Sequence, residues 1–181
     1  MDNSEFKKLL FKVAFCSMAC DGHVDDREVS EMRAMGRNTS YFDAIDLSDD
    51  LSELVGELHS KGVKLIEELF DTLRAHELNP IQELLVLEVA LRIVSSDEKH
   101  DENELRFIHL LRSKLKLHDS LIHDRFGELE LLHVSQYTTG IDVSIAEREF
   151  LDQVTLPEFS DIEAIDVNAL AEVGDASTKQ S

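Results

Sequence analysis

The sequence predicts an all-α fold, an internally duplicated helical bundle with an acidic C-terminal extension. Three observations point to it. Two stretches, residues 9–20 and 84–94, carry apolar side chains on nearly every side of a helix, the pattern of a helix buried at the centre of a domain. Seven Gly and two Pro interrupt 181 residues, which suits long helices and few tight turns. Two helix–acidic loop–helix units also align when the chain is shifted by 76 residues.

The elements follow in order. Ser4 offers a cap for the first helix, with Glu5 in the first turn where the helix dipole favours an acid. Leu9, Leu10, Phe11, Val13, Phe15 and Met18 fill it, and Asp21-Gly22 stops it, Gly22 suiting the left-handed residue that ends helices. A second helix is predicted over 26–35 with Val29, Met32 and Met35 inward, followed by a looped stretch, 37–48. Ser48-Asp49-Asp50-Leu51 opens a third helix carrying Leu54, Val55 and Leu58, broken near Gly62, and a fourth spans 63–76. Pro80 sits where a helix start tolerates it, ahead of the second all-apolar helix with Leu84, Leu87, Ala90, Leu91 and Val94. That helix stops around Ser96-Asp97. Its partner covers 101–114 with Leu105, Ile108 and Leu111 or Leu115 inward, and a short helix over 118–126 completes a domain of residues 4–126.

The remainder differs in composition, with 12 acidic and two basic residues over 127–181. Residues 127–154 read as an irregular extension, with a small hairpin around Thr138-Thr139-Gly140 suggested by β-branched residues in partial alternation. Residues 155–181 read as an acidic, partly disordered tail. Phe159, Ile162 and Ile165 at helical spacing offer the alternative of a segment that folds onto a partner or back onto the domain.

Charge and composition exclude several function classes. A formal net charge of −20 opposes binding to nucleic acid or to an anionic lipid surface, both of which need clustered Lys and Arg. The absence of Trp and six per cent aromatics argue against a base-stacking platform. The longest apolar stretch, 9–20, falls well short of the roughly 20 residues that span a bilayer, so no direct membrane insertion is expected. The opening residues lack the positive start of a signal peptide, and a cytoplasmic location is the expectation. Cys16 and Cys20 lie four apart on one helix, poor geometry for a disulfide.

No signature of catalysis is present. The seven Gly never cluster into a phosphate cradle, no Gly-x-Ser-x-Gly occurs, and Glu130-x-x-His133 stands alone where a di-iron bundle needs two such motifs. The expectation is a non-enzymatic protein.

The repeat carries the chemical signal. Residues 14–29 align with 90–105, matching Asp21 with Asp97, Asp25 with Asp101 and Glu28 with Glu104. Asp25-x-x-Glu28 and Asp101-x-x-Glu104 also read as capping boxes, apart from the Ser/Thr preference. Capping leaves Asp21 and Asp97 unexplained. Each would follow an apolar helix at its negative end, where an exposed carboxylate is disfavoured by roughly 0.3–1 kcal/mol unless local turn hydrogen bonds or a cation offset it. A divalent cation held by Asp21, Asp25 and Glu28, and likewise by Asp97, Asp101 and Glu104, would do so. Oxygen-only ligands favour Ca²⁺ or Mg²⁺ over Zn²⁺. An EF-hand loop would place its first and third positions on Ser17 and Ala19, and Ala19 offers no side-chain ligand. Cys16, Cys20 and His23 form a soft-ligand alternative that lacks the fourth ligand of a structural zinc site.

The loop Ala19-Cys20-Asp21-Gly22-His23-Val24-Asp25-Asp26-Arg27-Glu28, repeated as Ser95-Ser96-Asp97-Glu98-Lys99-His100-Asp101-Glu102-Asn103-Glu104, resembles the TerB-like domain of tellurite-resistance proteins over residues 4–126. The resemblance implies an all-helical, duplicated, acidic domain with divalent-metal binding. It also implies a role in bacterial stress or phage defence through protein–protein interaction, often beside membrane-linked partners. The second unit departs from the pattern where Glu98 replaces the turn glycine and His100 the apolar position. The competing expectation is a metal-free acidic adaptor that recruits a basic partner through its tail and helical surface.

Overall fold

The computed structural model describes residues 1–43, 45–96, 100–132 and 142–158. Among these the fold is all-helical: α1 (Asn3–Ala19), α2 (Asp26–Asn38), α3 (Leu47–Lys61), α4 (Lys64–Ala75), α5 (Pro80–Val94), α6 (Glu102–Lys114), α7 (Asp119–Phe126) and α8 (Val143–Gln153), with a 3-10 turn at Glu130–Leu132. The two all-apolar helices, α1 and α5, form the principal packing pair, as a helix without a polar face must be covered all round. Helices α2 and α6 pack on α5, α4 packs on α1 and α6, α3 on α4, and α8 on α6. Phe11, Phe15, Leu65, Phe70, Leu87 and Phe107 are fully enclosed in the resulting core.

The helix ends show why the boundaries fall where they do. Asp2, not Ser4, caps α1: its carboxylate accepts from the Glu5 amide at 2.9 Å and the Glu5 carboxylate accepts from the Asp2 amide at 2.8 Å. The same reciprocal pair joins Asn79 and Gln82 ahead of α5, with Pro80 in the first turn. Gly62, at φ 58°, separates α3 from α4. Asp46 caps α3 through one carboxylate oxygen that accepts from Ser48 at 3.0 Å and Asp49 at 3.1 Å. Asp46→Ala is expected to cost about 1 kcal/mol, read as a lower thermal midpoint with the helical content at low temperature unchanged.

The extension departs from its expected irregularity. Residues 143–153 form α8, started by Asp142, whose carboxylate accepts from the Ser144 amide at 2.9 Å. Its inner face holds only a few residues, and those are decisive. Phe150, 1 % exposed, joins Phe70 and Phe107 with ring centroids 6.5 and 6.4 Å away. One turn earlier, Glu147 accepts from Arg74 at 2.8 and 3.1 Å and from Lys114 at 2.6 Å. An acid and an aromatic three positions apart share one helix face, and here both point into the bundle. Beyond α8, Val154 and Pro157 are buried and Leu156 packs on the core, so residues 154–158 are a docked strap and not the start of a loose tail. The hairpin expected around Thr138-Thr139-Gly140 and the tail from residue 159 onward lie outside the described residues.

Candidate metal centre

The first acidic loop is built from the end of α1. The Ser17 hydroxyl donates to the Val13 carbonyl at 2.8 Å and the Cys20 thiol to the Ser17 carbonyl at 3.1 Å. Ser17 is therefore committed to its own helix and is fully buried, which removes the EF-hand reading on structural grounds as well. Asp21 turns the chain by accepting from the His23 amide at 2.8 Å, and Gly22 follows at φ 85°. Asp25 then caps α2, accepting from the Arg27 amide at 2.7 Å, while Glu28 Oε2 accepts from the Asp25 amide at 3.1 Å.

The second loop repeats the capping half of this arrangement. Asp101 accepts from the Asn103 amide at 2.7 Å and Glu104 from the Asp101 amide at 2.6 Å. A ring nitrogen of His100 lies 3.0 Å from the Val94 carbonyl, tying the loop to the end of α5. Capping thus accounts for one interaction of each of Asp25, Glu28, Asp101 and Glu104, and turn bonding for one of Asp21. Asp97 lies outside the described residues.

The electrostatics bring the two loops together. Burial pushes the Asp21 carboxyl up, and the negative field of Asp101, from the other unit, adds to this against the bond from His23. Glu28 is pushed up to about 8, first by burial and then by Asp21, Glu104 and Asp25, against the bond from the Asp25 amide. The Cys20 thiol is raised by burial and, further, by Glu104, Asp21 and Glu28. Asp25, capped onto exposed backbone, moves the other way, its carboxyl lowered chiefly by the Arg27 amide. Acids read from the sequence as two separate ligand sets therefore feel one another's charge across the two loops.

Glu28 is the focus of that cluster. The residue is 4 % exposed, its Oε2 is occupied by the Asp25 amide, and its Oε1 is buried with no hydrogen-bond partner. A carboxylate oxygen in that position loses its hydration without compensation, a cost of about 1–3 kcal/mol or more for a charged group. Glu104, 5 % exposed, occupies the matching position on α6. The donor set is all oxygen, which suits a hard divalent cation. Among the described residues no three of these acids, or of the neighbouring His and Cys, already converge as a ligand sphere. Asp21, Asp25 and Asp101 would have to rotate inward toward Glu28 to complete one.

The soft-ligand alternative fares worse. Cys16 is enclosed and its thiol is pushed up to about 12 by burial, with Cys20 displaced in the same direction, so neither supplies a thiolate readily. His23 is exposed at the rim of the loop.

Two features of the site escaped the sequence. One is the adjacency of the two loops, whose signal was the pairing of the two all-apolar helices that precede them. The other is the strap: Thr155 lies directly on the Gly22 turn, its carbonyl oxygen 3.1 Å and its side-chain carbons 3.2 Å from where a Cβ on Gly22 would stand. No spacing links residue 155 to residue 22. Comparison with known proteins finds no matching family model, no similar curated protein and no similar solved structure.

Proposed function

We propose that this chain is a non-enzymatic, TerB-like module that binds one divalent cation, Ca²⁺ or Mg²⁺ in preference to Zn²⁺, at the cluster shared by its two acidic loops, and that docks a protein partner. The stress- or defence-associated role, with a partner that can itself be membrane-linked, rests on the resemblance of the loops. The observation that carries the cation reading is Glu28 Oε1, buried without a partner among the negative fields of Asp21, Asp25 and Glu104. A dication there would offset the repulsion and supply the missing partner in one step. Asp21, Asp25, Glu28, Asp101 and Glu104 are the described candidates to hold it, with Asp97 the sixth by register.

Calorimetric titration with Ca²⁺, Mg²⁺ and Zn²⁺ tests this. The expected result is one ion per chain, lost in Glu28→Gln and weakened at least about tenfold in Asp21→Asn/Asp97→Asn, a factor equivalent to about 1.4 kcal/mol. Absence of binding by any of the three ions to the wild-type chain rejects it. The completed capping boxes favour a second reading, in which the repeat acids serve only the helix starts and the chain is a metal-free acidic adaptor for a basic partner. Under that reading partner capture survives a chelator and is lost when residues 159–181 are removed.

A further inference from the structure

The acidic cluster has a cover. The strap that follows α8 is held on its near side by Glu147 and Phe150 and along its length by burial of Val154 and Pro157. Between the two buried strap residues, Thr155 lies over the Gly22 turn, its carbonyl oxygen and side-chain carbons 3.1 and 3.2 Å from where a Cβ on Gly22 would stand. Gly22 has no side chain and a positive φ, so the turn between Asp21 and His23 is held by the Asp21 bond to His23 and by the strap above it.

We propose that residues 154–158 act as an autoinhibitory strap, holding the first acidic loop in a closed arrangement that a divalent cation must displace in order to bind. With the strap docked, the oxygens of the cluster do not converge on one point. Glu28 sits on α2 with its backbone fixed by the helix, so convergence has to come from the loop acids, Asp21 and Asp25 on the first loop and Asp101 on the second. Backbone movement in the first of these loops carries Gly22 with it, and Thr155 leaves less than the room of a methyl group above Gly22. Strap docking and ion binding then oppose each other, and by linkage each weakens the other by the same factor. The strap's consequence for a partner follows from the same coupling: an ion frees α8's C-terminal segment and uncovers the surface beneath.

This inference rests on the cation reading, and the experiment separates the two. Three full-length proteins are compared: wild type, Thr155→Gly, and Val154→Asn/Pro157→Ser. The substitutions are neutral, so they leave the charge at the cluster unchanged. Ca²⁺ affinity is measured by calorimetry, and amide hydrogen exchange at residues 21–25 is followed without ion. The expected result is Ca²⁺ binding roughly tenfold tighter in Val154→Asn/Pro157→Ser, within the usual range of coupling between sites. Thr155→Gly should fall between this and the wild type, with faster exchange at 21–25 in both variants. Equal affinity in all three overturns the strap, and so does weaker binding in the variants, which would make the Thr155 carbonyl a ligand or a brace. If none binds Ca²⁺ the cation reading fails. Faster exchange in the variants would then still support a strap that restrains the loop, and unchanged exchange would overturn it. Thr155→Gly removes two side-chain carbons and a hydroxyl from an exposed site, so it provides a folded variant should the double substitution fail.

Discussion

Glu147→Ala is expected to destabilise the fold by about 3 kcal/mol, the low end of the range for removing one partner of a buried ion pair. The low end applies because Arg74 is 43 % exposed and regains water, whereas Lys114, at 4 %, is left as an unpaired cation over the ring of Phe70. Urea unfolding measures this as a lower midpoint. The companion variant distinguishes lost attraction from stranded charge. Lys114→Met/Glu147→Leu removes both charges and should recover most of the loss, since a buried pair replaced by apolar residues of similar volume is often neutral. If the double variant is as unstable as Glu147→Ala, the ion pair itself, and not the stranded Lys114, sets the stability. Acid provides a further check. Burial alone would raise the Glu147 carboxyl, but its bonds to Arg74 and Lys114 outweigh this and bring it below 4.5. Its contribution is therefore complete above pH 4.5 and is lost as pH falls through the lower, folded value.

Glu28→Gln is expected to act in the opposite pH range and with the opposite sign. A carboxyl raised to about 8 holds its proton in the folded chain while the unfolded chain, near 4.5, has released it. Between those limits the folded state binds more protons, so stability falls as pH rises, by at most about 1.4 kcal/mol per unit for one proton. The groups facing Glu28 are Asp21, Asp25 and Glu104, with His23 and Asp101 acting on Asp21, and Asp21 is shifted in the same direction. Gln keeps the acceptor for the Asp25 amide and cannot ionise. Glu28→Gln should thus flatten the decline and make the chain more stable than wild type at pH 8 in the presence of a chelator. Thermal unfolding at pH 5, 6.5 and 8 decides it. A wild-type profile already flat over that span removes Glu28 as a strained acid, and with it the main argument for an ion at the cluster.

The helices were legible because their signals are local. Two all-apolar runs, the acids at helix starts and Pro80 placed seven helices close to their observed positions, with Asp2 displacing Ser4 as the first cap by virtue of its partner Glu5. The hydrophobic stripe of α8 was present as well, in Ala146, Phe150 and Leu151, but it is short and interrupted by charge. One of those charges, Glu147, is buried only because Arg74 and Lys114 wait for it on helices far away in the chain. That compensation has no local signature. The acidic residues of the site were equally visible one by one, and their capping geometry matches the spacing. Their mutual field was not, because it depends on how α1, α2, α5 and α6 pack together. The contact of Thr155 on Gly22 is the extreme case, a through-space meeting of two unremarkable residues.

The enclosure of Cys16 and Cys20 has a practical consequence for a chain with no other sulfhydryl. Alkylating reagents and peroxide meet neither sulfur while the bundle is shut, so the rate of modification records how often it opens. Cys16 lies within the α1 core and responds to opening of the bundle, while Cys20, beside the loop acids, also responds when only that end loosens. The difference in labelling between the two positions is a built-in clock for partial against complete opening.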